Sequence, residues 1–110
     1  MAYDEMLAER VRASLADVPG PSQRSMFGGL AFMSRGRMVC GILGDDLVVR
    51  VGPERWEAAL RRVHSREMDF TGRSMRGFVF VGPLGTRRQS QVDSWMAWAR
   101  DYVESLPPKG

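Results

Sequence analysis

Chemistry in this 110-residue chain could begin at one histidine, one cysteine and a few turns that carry glycine or paired carboxylates. His64 falls at the predicted end of a helix, where a protonated imidazole is favoured by the helix dipole. No cysteine or carboxylate stands at ligand spacing from it, so the spacing argues against a metal site. Cys40 lies among Val39, Gly41 and Ile42 in a predicted strand. It reads as a small buried hydrophobe, without the electropositive, accessible setting of a nucleophilic thiolate. Gly72-Arg73-Ser74-Met75-Arg76 has the outline of a nucleophile elbow but places arginine where the last glycine must permit the sharp turn. Gly82-Pro83-Leu84-Gly85-Thr86-Arg87 has the outline of a phosphate loop and lacks the Gly-Lys-Ser/Thr ending that would hold phosphate and magnesium. Asp45-Asp46 pairs two carboxylates at a hairpin turn, a position that turn geometry alone explains. No set of acid, base and nucleophile survives, and the expectation is a non-enzymatic protein with no cofactor and no metal.

Met75-Arg76-Gly77-Phe78-Val79-Phe80-Val81 carries the densest apolar pattern. As a strand it projects Arg76, Phe78 and Phe80 from one face and Met75, Val79 and Val81 from the other. Arg-Gly-Phe-x-Phe-Val matches much of the strand on which RNA-recognition motifs stack unpaired bases. The match fails at Val79, which replaces a small residue, and at Pro83, which replaces the final aromatic. No second aromatic strand accompanies it. The expected role is a central strand covered by helices on one face and by a second subunit on the other, giving a homodimer.

Charge supplies the alternative. Sixteen basic residues against thirteen acidic leave a net charge of +3, and Lys109 is the only lysine. Residues 61–88 hold seven arginines, at 61, 62, 66, 73, 76, 87 and 88, against Glu67 and Asp69. That segment is the footprint expected of a nucleic-acid-binding protein; a solvated, arginine-rich surface explains it equally simply. The single cysteine agrees with a reducing compartment. No apolar run approaches the ~20 residues that span a bilayer, and the acidic N-terminus is unlike a secretory signal. A cytoplasmic location without a membrane partner is expected.

The elements that would position these residues follow from periodicity. Tyr3, Met6, Leu7, Val11 and Leu15 predict a helix over residues 3–17, ended by Val18-Pro19-Gly20-Pro21. Residues 26–33, 37–43 and 47–51 predict three antiparallel strands split by short turns, with Leu47, Val49 and Val51 on one face and Val48 and Arg50 on the other. Pro53 opens a second helix with Trp56, Ala59, Leu60 and Val63 on its buried stripe. Residues 66–70 and 75–81 predict two further strands, and residues from about 90 to 106 a last helix ended by Pro107-Pro108. The order α-β-β-β-α-β-β-α predicts one α+β domain over residues 1–110, with helices on an antiparallel sheet.

Arg24-Ser25-Met26-Phe27-Gly28-Gly29-Leu30, Arg35-Gly36-Arg37-Met38 and Leu47-Val48-Val49-Arg50-Val51 together resemble the N-terminal domain of the TfoX/Sxy family. Met68-Asp69-Phe70-Thr71-Gly72-Arg73, the Met75-x-Gly77 step and the Trp95 helix ending in Leu106-Pro107-Pro108-Lys109 look like its small stand-alone branch. The resemblance spans about residues 22 to 109. It implies a secretion-chaperone-like fold in the order already given, no established catalytic residue, and a regulatory role in natural competence alongside a cyclic-AMP receptor protein at promoters. Longer members carry a second, C-terminal domain, for which a chain stopping at Gly110 has no room. Within the motifs, Gly28-Gly29 suits a close approach or a bulge, Gly36 a hairpin position of positive φ, and Met26, Phe27 and Met38 the core. Arg24, Arg50, Arg73, Arg76, Phe78 and Phe80 form the candidate interaction surface, for a protein partner such as a transcription regulator, a second copy, or nucleic acid.

Overall fold

The computed structural model describes residues 3–26, 28–70 and 73–107, with side chains throughout except at 69–70 and 73–74. The chain forms α1 (Glu5–Ser14), β1 (Pro21–Met26), β2 (Gly29–Ser34), β3 (Arg37–Leu43), β4 (Asp46–Arg50), α2 (Trp56–Leu60), β5 (Ser65–Phe70), β6 (Arg73–Val81), a 3-10 turn (Pro83–Gly85) and α3 (Gln89–Ser105). The strands make one antiparallel sheet in the order β1-β2-β3-β4-β6-β5. This is the expected α+β architecture with one strand more than the pattern predicts.

The extra strand arises at Gly28-Gly29. Residues 26–33 read as one apolar run, yet the chain turns back there, and β1 pairs with β2 from Pro21↔Ser34 to Met26↔Gly29. Gly28 sits at φ +80, a backbone region that residues with a side chain rarely enter. A Cβ on Gly29 would lie 2.0 Å from the Ile42 carbonyl oxygen. Both positions therefore need glycine. Arg35 and Gly36, at φ 51 and 78, form the two-residue turn between β2 and β3, with the positive φ at both positions that matches strand twist.

The helices are shorter than their apolar stripes. α1 begins at Glu5 because the Asp4 carboxylate accepts hydrogen bonds from the Met6 and Leu7 amides at 2.9 and 3.2 Å, a cap that contributes about 1 kcal/mol. The Asp4 amide donates to the Gly44 carbonyl, which fixes that helix end to the β3–β4 turn. Pro53 does not open α2; residues 53–55 form a turn, and one helical turn and a half follows from Trp56.

Cross-strand register sorts the sheet into two faces. Leu30, Phe32, Cys40, Ile42, Leu47, Val49, Val79 and Val81 share the face beneath α1, α2 and α3, where they pack with Leu7, Val11, Ala59, Trp95, Met96 and Ala99. Leu47, Val49 and Val51 share this buried face as their alternation predicts. No helix of the described residues is long and apolar enough to cross a membrane.

Candidate interaction site

The opposite face carries its own apolar layer. Register aligns Arg24, Ala31, Gly41, Val48, Phe80 and Arg66 in one row across all six strands, and sets Arg50 opposite Phe78 in the adjacent row. Val48 is 0% and Ala31 4% exposed, although neither belongs to the cluster packed under the helices. Long side chains of the same face cover them. A Cβ on Gly41 would meet Met26 Cε at 2.8 Å and Met38 Cε at 3.1 Å, so the missing side chain is the space into which both methionines fold. Met26 and Met38 are thus half-exposed on this outer face, not in the core as their motifs suggest. Phe27 lies outside the described residues.

Guanidinium groups hold the two rings in place. Arg66 donates through both Nη atoms to the Asp46 carboxylate, at 3.3 and 2.7 Å, and its Cζ lies 4.8 Å from the centre of the Phe80 ring. That two-pronged bond raises the Arg66 pKa above its ordinary value. Arg50 lies 5.8 Å from the Phe78 ring and 5.4 Å from the Tyr102 ring of α3, and its Nη1 donates to the Met38 carbonyl at 3.3 Å. Each such cation–ring contact stabilises by about 0.5–1 kcal/mol at a partly exposed position. The rings are half-buried and ordered by these partners.

The expected surface is therefore brought together only in part. Arg24, Arg50, Phe78 and Phe80 share the outer face, with Arg24 at its β1 edge and the other three on β4 and β6. Arg76 leaves it. Gly77, at φ +93, makes a bulge where its carbonyl accepts from both Val51 and Gly52, and Arg76 comes to lie 5.6 Å over the Trp56 ring of α2. The Arg73 side chain lies outside the described residues. Met26, Met38 and Gly41 are the members that sequence reasoning misses. Alternation along β3 would put Met38 with Cys40 on the inner face; a bulge at the Phe32/Met33 step turns it outward, and no local signal announces that break.

The other candidate groups are dispersed. Cys40 is fully buried, and burial pushes its thiol pKa far up, away from the thiolate form. Asp46 is engaged by Arg66. His64 stands not at a helix end but in a turn, at φ 71, with its carbonyl accepting from Gly82. The 82–88 segment is a 3-10 turn rather than a phosphate loop. The described arginines of residues 61–88 do not form one stripe: Arg66 is on the outer face, Arg76 on α2, Arg62 against α3. Among the described residues, no group of three or more His, Cys, Asp or Glu side chains could hold a metal ion.

A family model described as the TfoX N-terminal domain matches residues 13–101. No curated protein and no solved structure matches the chain.

Proposed function

The chain belongs to the TfoX N-terminal domain family, and from that premise we propose that it is a non-enzymatic regulatory module that acts by docking another protein on its outer sheet face. The observation that carries this reading is the burial of Val48 and Ala31 on the face that no described helix covers, in the row where the Met26 and Met38 tips fold over Gly41 and Phe80 flanks Val48. An antiparallel sheet with one solvated face ordinarily alternates apolar-in with polar-out. Here the middle of the outer face is apolar and its margin basic, the plan of an interface with a dry centre and a polar rim. Methionine side chains adapt to a partner's shape at little cost, and Met26 and Met38 occupy the centre.

Charge narrows the partner. Asp46 is already bound by Arg66, which leaves Arg24 and Arg50 as positive groups for carboxylates of a partner to meet. A second copy packed face to face about a two-fold axis running across the strands would set Arg24 against Arg24. Like charges so placed oppose association. The favoured partner is a protein with an apolar patch flanked by acidic residues, in keeping with a role beside a transcription regulator.

The test uses the double variant Met26→Glu, Met38→Glu. Its thermal midpoint should stay within about 5 °C of the parent, because both residues are half-exposed. Nuclease-treated host lysate should yield a discrete partner with the parent chain and none with the variant. Equal capture by both chains would end this reading, and a concentration-dependent dimer by sedimentation, lost in the variant, would replace the acidic partner with a second copy.

A further inference from the structure

On the far side of the molecule a groove of about 560 Å³ runs between the segment after α2 and the start of α3. Arg61, Arg62, His64, Ser90, Ser94 and Trp95 are among the residues that line it, and no carboxylate does. Arg62 is its fixed point. The guanidinium lies 3.6 Å from the centre of the Trp95 ring and 4.9 Å from that of Trp98, and its Nη2 donates to Ser94 Oγ at 2.7 Å. Its Nη1 is buried without a hydrogen-bond partner. A second arginine, Arg55, sits on the outer side of Trp98 at 5.2 Å and is neutralised by Asp101 at 3.4 Å. Among the described residues Arg62 has no such carboxylate partner, and its guanidinium lies against ring faces and a hydroxyl. Burial accordingly lowers its pKa from the ordinary arginine value.

The wall beside it is held with comparable firmness. His64 adopts φ 71, costly for a residue with a side chain, and its carbonyl accepts from Gly82 at 3.0 Å. Gly85 makes room for it, since a Cβ there would fall 2.8 Å from His64 Cβ. Arg61 is exposed beside this turn. The groove thus offers a guanidinium fixed on two indoles and a hydroxyl, with Arg61 and His64 exposed at its wall.

We propose that this groove binds a phosphate group, which Arg61 and His64 contact directly while Arg62, locked on two indoles, supplies a fixed positive charge. The site is separate from the outer sheet face and stands or falls independently of it. A phosphodiester backbone and a small phosphorylated molecule present the same chemistry, and two probes separate them. Inorganic pyrophosphate is followed by quenching of tryptophan fluorescence, because Trp95 lines the groove. A labelled single-stranded oligonucleotide is followed by anisotropy at about 50 and about 200 mM salt, where phosphate contacts weaken steeply.

The informative variant is Arg61→Ala with His64→Gly. Glycine is at ease at positive φ, so the second change removes the imidazole without straining the turn, and Arg62 with its tryptophans is left intact. Arg12→Ala, exposed on α1 and outside the groove, is the control. At least one probe should bind the parent, lose about tenfold or more in affinity in the double variant, and bind the control unchanged. Binding of the oligonucleotide alone identifies a nucleic-acid backbone, and binding of pyrophosphate alone a small phosphorylated ligand. Absence of binding by either probe at low salt, or an equal loss in the Arg12 control, overturns the proposal.

Discussion

Gly52 shows how one residue joins the sheet to the helix above it. At φ +85 it occupies backbone space unfavourable to any side chain, and a Cβ there would lie 2.3 Å from the Tyr102 ring. The ring therefore rests on bare backbone, and the Arg50 guanidinium lies 5.4 Å from its centre. Gly52→Ala should destabilise by about 2–4 kcal/mol, from strained φ and overpacking together. Urea unfolding would measure it, and in a Tyr102→Ala background the steric part of the loss should disappear. An equal loss in both backgrounds would contradict the contact. None of this was legible beforehand, since a glycine before proline reads only as a turn. Gly36 was legible, because a two-residue hairpin turn states its requirement locally. Arg76 shows the opposite failure: alternation places it beside Phe78, and the bulge at Gly77 turns it to Trp56. A lone glycine inside a strand signals such a break without saying which way the next side chain goes.

Helix α1 is tied to α3 through Arg100, whose Nη1 donates to the Asp17 carboxylate at 2.9 Å and to the Ser14 carbonyl at 3.5 Å. The hydrogen bond from Arg100 lowers the Asp17 pKa below 3.8 in the folded state. A depressed carboxylate contributes stability that is present above the unfolded pKa and lost as the pH falls through the folded one. The Tm of the parent should therefore exceed that of Asp17→Asn at neutral pH, with the gap closing as the pH drops below 3.8. A gap that persists unchanged into acid would contradict the ion pair. Element existence was otherwise well marked, because the apolar stripes of α1 and α3 are long enough to set their period. The β1–β2 hairpin was not. Its first strand, Pro21-Ser22-Gln23-Arg24-Ser25-Met26, is mostly exposed and carries almost no apolar signal, and the strand-like run begins only at its last residue.

At the scale of the molecule, the α+β order and the family followed from dispersed motifs, because each short motif is a turn or strand that the sheet needs locally. The outer face did not follow. It depends on register across six strands, and the turn that splits the run 26–33 into the end of β1 and β2 puts Met26 on the surface rather than in the core. Once register is fixed, one apolar layer lies under three helices and a second lies under nothing described but methionine, phenylalanine and arginine side chains. This second layer is where a partner is proposed to sit. The most direct measurement places a photo-crosslinking amino acid at position 38 on the outer face, and separately at exposed Ala97 on α3, in chains expressed in the native host. The account predicts a discrete adduct from position 38 and none from position 97; adducts of the same partner from both, or from 97 alone, would contradict it.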